Sequence, residues 1–178
     1  MIIVITQPHF FDGEAERIAR LLRRGDVDLM HIRKLQATLE ETARLIEQIP
    51  SELYSRLVLH DHHRLAADYG LHGIHLNGRN PLPLEGWRGS VSISCHSFGE
   101  LEECGRKSFD YMSLSPVFDS ISKQGYRAAF TRDEIADARR CGIINGRVMA
   151  LGGVTFARVD EVLQMGFGGA MILGDAWR

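Results

Sequence analysis

The chain has 178 residues, 44% hydrophobic and 25% charged, with a formal net charge of −2. This length allows one well-buried core and is short for two, so we predict a single domain over residues 1–178. The low net charge and scattered basic residues argue against nucleic-acid binding, and no apolar run is long enough to predict a membrane span. The N-terminus lacks a signal-peptide pattern and the three cysteines show no zinc spacing, which together indicate a cytoplasmic protein with reduced thiols.

Short apolar runs alternate with helical patterns along the whole chain. The predicted strands are Ile2–Thr6, Leu29–Arg33, Arg56–His60, Gly73–Leu76, Val91–Ser94, Phe109–Leu114, Arg147–Leu151 and Gly169–Leu173. The predicted helices are one capped by Asp12 and stopped by Gly25, then Leu39–Ile49, His63–Tyr69, Phe98–Cys104, Thr131–Arg140 and Thr155–Met165. Thr131 with Glu134 three residues later forms a capping-box pattern. The stretch Asn77–Gly89 lacks periodicity and predicts a loop.

Eight strand-like runs separated by helices predict a (β/α)₈ TIM barrel. An open doubly wound sheet is the alternative, and the absence of an early Gly-x-Gly-x-x-Gly motif favours the closed barrel. The sequence stops soon after the eighth run, so the eighth helix is absent from this chain. Because an uncovered barrel wall would expose apolar side chains, we expect self-association into a homo-oligomer.

Active sites of such barrels lie at the C-terminal ends of the strands, where polar residues gather in this sequence. The candidates are His31 and Arg33 after strand two, His60 and Asp61 after strand three, Ser94 and His96 after strand five, Ser120, Ser122 and Lys123 after strand six, and Gly152, Gly153 and Gly174 after strands seven and eight. Hydroxyls, an ammonium and glycine-rich turns suit a phosphate or pyrophosphate. Histidine suits proton transfer near neutral pH.

Two readings of the run His60–His63 stay open. Asp61 could ligate Mg²⁺ beside a phosphate, or it could cap the helix that follows. The run also looks like a metal cluster, but neighbouring positions on a strand point to opposite faces, so only some of these residues could share an ion.

These residues resemble the thiamine phosphate synthase family, which includes a thiazole tautomerase branch. The resemblance covers nearly the whole chain and is strongest at Ser115–Lys123, Ala150–Val154 and Asp68–His75. It implies a (β/α)₈ barrel that binds a thiazole phosphate. The synthases of this family join a hydroxymethylpyrimidine pyrophosphate to the thiazole phosphate and release pyrophosphate with the help of Mg²⁺.

The resemblance also implies roles for single residues. Ser120, Ser122 and Lys123 match the family's phosphate-holding loop, and Gly153 and Gly174 match glycines whose backbone N–H groups bind the thiazole phosphate. Ser94 matches a serine that contacts pyrophosphate. Arg33 matches the arginine of the strand-two motif, and Asp61 matches one Mg²⁺-binding aspartate.

Several positions depart from the synthase pattern. His31 replaces a glutamine, Leu35 replaces a lysine, and Asn80 replaces the second Mg²⁺-binding aspartate. The resemblance therefore implies a weakened Mg²⁺ site. It also implies that the part of the active site that binds the thiazole phosphate is better preserved than the part that binds the pyrimidine pyrophosphate. The leading hypothesis is a tautomerase that moves a proton with His31 or His60 as the base, because the branch's own base histidine is Pro116 here. The alternatives are a synthase with altered pyrophosphate contacts and a non-catalytic protein that binds the phosphate ligand.

Overall fold

Eight parallel strands form a closed barrel in sequence order in the computed structural model, which describes residues 1–119 and 127–178. The strands are Ile2–Ile5 (β1), Leu29–Ile32 (β2), Leu57–Leu59 (β3), Gly73–Leu76 (β4), Ser90–Cys95 (β5), Tyr111–Leu114 (β6), Val148–Ala150 (β7) and Gly169–Ile172 (β8). The helices are Glu14–Arg23 (α1), Leu39–Gln48 (α2), Arg64–Asp68 (α3), Phe98–Gly105 (α4), Arg132–Arg140 (α5) and Val159–Gln164 (α6).

Three short 3₁₀ helices, Ser51–Arg56, Phe156–Arg158 and Gly174–Trp177, complete the described secondary structure. The alternation of strands and helices confirms the predicted barrel, in which the 3₁₀ helix Gly174–Trp177 follows β8. Within the parts of the chain that the structure describes, no helix combines the length and apolar character needed to cross a membrane.

Contacts divide the chain into two compact units, which we describe separately. The N-terminal unit is Ile3–Val91, and the C-terminal unit is Met1–Ile2 together with Ser92–Arg178.

The N-terminal unit places its first helix against the sheet through a continuous apolar face. Ile18 and Leu22 are fully buried and Leu21 is 6% exposed, as their spacing of three and four residues predicts. On the same helix Glu14 points inward and meets the ammonium of Lys34 at 2.5 Å. The first turn of this helix therefore carries a buried ion pair as well as apolar contacts.

The predicted Asp12 cap is wrong. Helix α1 begins at Glu14 and its N-cap is Gly13, whose φ of 75° lies in the left-handed region that glycine adopts readily, and no side chain caps the helix. The predicted stop is confirmed, because Gly25 follows the helix with a φ of 88°.

Most predicted elements differ from the observed ones by one or two residues at an end, and two of these differences follow from identifiable contacts. Strand β3 begins at Leu57, because Arg56 ends the preceding 3₁₀ helix and donates from its Nη1 to the carbonyl of Leu22 at 2.7 Å. The predicted helix Thr155–Met165 is divided into the 3₁₀ helix and α6. At that break the N–H of Phe156 donates to the Asp175 carboxylate at 3.0 Å.

The C-terminal unit confirms the capping box that begins α5. The Thr131 hydroxyl accepts from the N–H of Glu134 at 3.2 Å, and the Glu134 carboxylate accepts from the N–H of Thr131 at 2.7 Å. Thr131→Ala is expected to lower the free energy of unfolding by about 1 kcal/mol. The substitution removes the hydroxyl that accepts from the N–H of Glu134 and so breaks the reciprocal pair of bonds in the capping box. Urea unfolding of this variant beside Thr131→Ser tests the cap. Equal losses in both variants would contradict it, since serine keeps the hydroxyl.

Candidate active site

Three histidines of the N-terminal unit lie together in its interior. His31 is on β2, His60 follows β3 and His75 is on β4, and these residues are 0%, 4% and 1% exposed. His31 Nδ1 and His60 Nε2 are 2.9 Å apart, within hydrogen-bonding distance, so one of these nitrogens carries the shared proton. The His60 and His75 rings lie 4.3 Å apart between centroids. The two histidines predicted as candidate bases are therefore neighbours, and His75 joins them.

Burial disfavours the charged form of these imidazoles. Desolvation lowers the pKa of His31 and His60 well below the usual value, and the other histidines add to the effect. Desolvation, with smaller contributions from His63 and Arg33, lowers the pKa of His75 to about 3. At neutral pH all three side chains are therefore neutral, and each can donate from one ring nitrogen and accept at the other.

A second group in the N-terminal unit surrounds Asp61. The Arg79 guanidinium contacts both carboxylate oxygens, with Nη2 at 3.1 Å from Oδ1 and 3.0 Å from Oδ2. The Asn80 side-chain amide donates to Oδ1 at 2.8 Å and to the carbonyl of His60 at 3.1 Å. Asp61 therefore does not cap α3, whose N-cap is His63, and the capping alternative is wrong.

The residues around Asp61 do not fit the Mg²⁺ ion that the family resemblance implies. Mg²⁺ is usually held by one or two carboxylates that are free to meet it. Here one carboxylate is already engaged by a guanidinium and an amide, and the second acidic position is Asn80. The Arg79 guanidinium thus already neutralises this carboxylate.

Arg33 and Lys34 follow β2 but have different surroundings. Arg33 is half-buried, and burial, followed by the nearby positive charge of Arg79, lowers the pKa of its guanidinium, while Asp61 opposes the shift. Lys34 is 3% exposed and donates to Glu14 and to the carbonyls of Gln7 and His9. Lys34, one residue away from the family's lysine position, therefore forms a structural ion pair with Glu14. Arg33 is instead affected by the charges of Asp61 and Arg79.

The C-terminal unit contains the glycine turn after β7. Gly152 and Gly153 have φ values of 92° and 64°. A Cβ on Gly152 would lie 2.7 Å from Pro116 Cα, and one on Gly153 would overlap the carbonyl oxygen of Asp119. The two glycines are therefore required by backbone conformation and by the close approach of the segment that follows β6.

The ends of β7 and β8 are linked in this unit by Asp175. Its carboxylate accepts from the N–H of Phe156 after β7, and Asp175 itself lies in the 3₁₀ helix that begins at Gly174 after β8. Among the described residues, none accepts a hydrogen bond from the N–H of Gly153 or Gly174. This arrangement corresponds to the usual phosphate site of (β/α)₈ barrels, which uses the loops after strands seven and eight.

The remaining predicted residues lie at the ends of β5 and β6. Ser94 is half-buried and is level with Ser113 of β6. His96 is exposed, and its Nδ1 lies 3.2 Å from the Ser115 hydroxyl. Ser120, Ser122 and Lys123 lie outside the described residues. A cavity of about 230 Å³ in the same unit is lined by Phe118, Phe130, Arg132, Arg158 and five further residues, and it includes none of the predicted site residues.

The structure places two further residues, His75 and Arg79, beside the predicted ones. His75 is level with His60 because Leu59 pairs with Ile74 in the preceding position of the β3–β4 register. Arg79 reaches Asp61 because a bridge between Asn77 and Asn80 turns the loop after β4 back on itself. The signal for Arg79 was present, since it directly precedes Asn80 in the family's metal motif.

The barrel and the polar strand ends indicate an α/β-barrel enzyme, and comparison with known proteins identifies the family. A family model described as thiamine monophosphate synthase matches residues 2–174, so the chain belongs to that family. The thiamine-phosphate synthase of Salinibacter ruber is 28% identical, with 91% of this chain and 74% of the relative covered. That of Rhizobium etli is 30% identical, with 92% and 83% covered.

Solved structures agree with this assignment. The crystal structure of thiamine phosphate pyrophosphorylase from Bacteroides thetaiotaomicron has a TM-score of 0.87 at 38% identity and covers 99% of this chain and 84% of that one. The pyrophosphorylase from Pyrococcus furiosus, at 20% identity and a TM-score of 0.76, supports the fold. The chain is thus a member of an enzyme family of thiamine biosynthesis.

Proposed function

We propose that this chain is a thiamine phosphate synthase that joins a hydroxymethylpyrimidine pyrophosphate to a thiazole phosphate and releases pyrophosphate. The observation that carries the proposal is the similarity over nearly the full chain to relatives named for this reaction, including a solved structure at 38% identity. This reverses the order of the two enzymatic hypotheses drawn from the sequence motifs, where the tautomerase came first.

The C-terminal unit supports binding of the thiazole phosphate. Its glycine turn after β7 and the 3₁₀ helix after β8 correspond to the barrel positions that usually hold a phosphate. Gly153 and Gly174 are the candidates to donate backbone N–H groups to the phosphate oxygens, and Asp175 fixes the spacing of their loops through Phe156. The absence of a Cβ at Gly153 lets this turn lie against the segment that follows β6, which fixes the position of the turn.

The N-terminal unit supports binding of the pyrophosphate. The Arg79 guanidinium pairs with Asp61 at 3.0 Å, and the charges of both residues act on the pKa of Arg33, Arg79 lowering it and Asp61 raising it. Guanidinium groups bind phosphate oxygens in a bidentate manner. In the proposed reaction Arg33 stabilises the negative charge that develops on the leaving pyrophosphate.

A second candidate function is the tautomerase reaction, in which a proton moves on a thiazole carboxylate phosphate. It is favoured by the pair of His31 and His60, whose ring nitrogens lie 2.9 Å apart, so that a proton can pass from one imidazole to the other. The engagement of Asp61 by Arg79 also favours a reaction without Mg²⁺. The same phosphate loops would serve both reactions.

Arg33→Ala tests the proposed reaction. Pyrophosphate release is measured with both substrates, and tautomer conversion is measured on the same preparation by NMR. We expect condensation by the unmodified chain and a decrease in kcat/KM of about 10- to 100-fold in the variant, the loss of one charge-assisted contact of roughly 1.5–3 kcal/mol. Arg20→Ala, on the exposed face of α1, is the matched control and should retain full activity.

The two reactions and the inactive alternative give distinct results in these assays. Tautomer conversion without pyrophosphate release would replace the proposed function with the second candidate. Calorimetric binding of the thiazole phosphate without either conversion would overturn both and leave a non-catalytic binding protein.

A further inference from the structure

The three buried histidines lie on one face of three consecutive strands. In the parallel register His31 pairs with Val58, and His60 is two positions beyond Val58, so both side chains point to the same side of the sheet. Leu59 pairs with Ile74, which makes His60 and His75 level and gives them the same direction. The convergence of the three imidazoles is therefore built into the register of β2, β3 and β4.

One ring nitrogen from each of the three histidines lies within 4.8 Å of the others. Around a tetrahedral Zn²⁺ ion with Zn–N distances of about 2.0–2.1 Å, ligand nitrogens are roughly 3.3 Å apart. The 2.9 Å separation of His31 Nδ1 and His60 Nε2 is slightly shorter than this. The three nitrogens of the group all lie within 4.8 Å of one another.

We propose that His31, His60 and His75 form a binding site for a divalent transition-metal ion of the Zn²⁺ class. Three imidazoles are a recognised protein ligand set for zinc, with a fourth position for water or another oxygen ligand. Imidazole suits Zn²⁺, Cu²⁺, Ni²⁺ and iron, whereas Mg²⁺ prefers oxygen ligands. The site is thus distinct in position and in metal preference from the carboxylate region around Asp61.

The neighbouring histidines His62 and His63 lie outside the group of three. His62 Nε2 lies 2.8 Å from the carbonyl oxygen of Ala37, and His62 does not belong to the group of three. His63 is buried, but its Nε2 has no hydrogen-bond partner among the described residues and it also lies outside the group. Of the run His60–His63, the group of three includes His60 alone, in keeping with the expectation that only some of these residues could share an ion.

Cobalt titration of the untagged protein without substrate tests this site. Bound Co²⁺ is followed by visible absorption and bound Zn²⁺ by elemental analysis after dialysis. We expect one equivalent of metal per chain, unaffected by a large excess of Mg²⁺. His75→Gln should weaken Co²⁺ binding at least 100-fold, and His9→Gln, which changes an exposed histidine outside the site, should leave it unchanged.

X-ray absorption of the Zn²⁺-loaded unmodified chain keeps the test decisive if His75→Gln fails to fold. Three nitrogen ligands at about 2.0–2.1 Å are expected. A sulfur ligand would assign the metal to the exposed thiol of Cys141 and overturn the proposal, as would failure of the unmodified chain to retain Co²⁺ or Zn²⁺. Because no substrate is present, either result leaves the proposed synthase reaction open to its own test.

Discussion

Glu14→Ala is expected to lower the free energy of unfolding by about 3–5 kcal/mol, because it leaves the Lys34 ammonium buried without its counter-ion. The side chains of Lys34 and Glu14 are 1% and 2% exposed, and the ammonium lies 2.5 Å and 2.6 Å from the two carboxylate oxygens. Its other acceptors are the carbonyls of Gln7 and His9, at 3.0 Å and 2.9 Å. These neutral oxygens do not compensate the positive charge.

Burial opposes ionisation of both partners, and their contact restores it. Desolvation raises the pKa of the Glu14 carboxyl and lowers that of the Lys34 ammonium, while the ion pair acts in the reverse direction on each. Loss of the Glu14 carboxylate therefore removes the favourable ion pair but leaves the Lys34 ammonium buried with its full desolvation penalty. For that reason the double variant Glu14→Leu with Lys34→Met, which removes both charges, should be clearly more stable than Glu14→Ala.

Urea unfolding followed by circular dichroism measures both effects. The matched control is Glu52→Ala, which breaks the pair with Arg23, whose side chains are 63% and 57% exposed. Solvent screens this surface pair, so the control should change stability far less. Equal losses for Glu14→Ala and Glu52→Ala would show that the buried pair contributes no more than a surface one.

The sequence predicts the barrel well because its evidence is local. The alternation of apolar runs and helical patterns, the glycine that ends α1 and the capping box at Thr131 depend on residues close together in the chain. The inward face of α1 follows in the same way from the spacing of Ile18, Leu21 and Leu22. Boundaries are less predictable where a distant side chain intervenes, as Asp175 does at Phe156.

The site is only partly predictable because its important pairs join distant residues. Fold analogy and family resemblance identify Asp61, but its pairing with Arg79 depends on the turn closed by Asn77 and Asn80 in a loop without periodicity. His75 joins His31 and His60 through strand register, which no local pattern fixes. The family match therefore identifies the positions, and the contacts reveal how their chemistry differs from a carboxylate metal site.

Gly153→Ala is expected to reduce both stability and affinity for the thiazole phosphate. At a φ of 64° any side chain is strained, and the new Cβ would overlap the Asp119 carbonyl and lie 2.8 Å from Phe118 Cβ. To relieve the overlap, the turn after β7 must move away from the segment after β6. That movement displaces the N–H group proposed to bind the phosphate.

Gly70→Ala provides a closely matched control. Gly70 has a φ of 63° but nothing lies within 4 Å of the position its Cβ would take, so the variant carries the same backbone strain without the overlap. Gly153→Ala should therefore cost about 1–3 kcal/mol more than Gly70→Ala, the range typical of overpacking. Calorimetry with the thiazole phosphate should show at least a tenfold weaker affinity in Gly153→Ala alone. Unchanged affinity in a folded Gly153→Ala protein would show that the phosphate binds away from this turn, whereas equal weakening in both variants would trace the loss to general destabilisation.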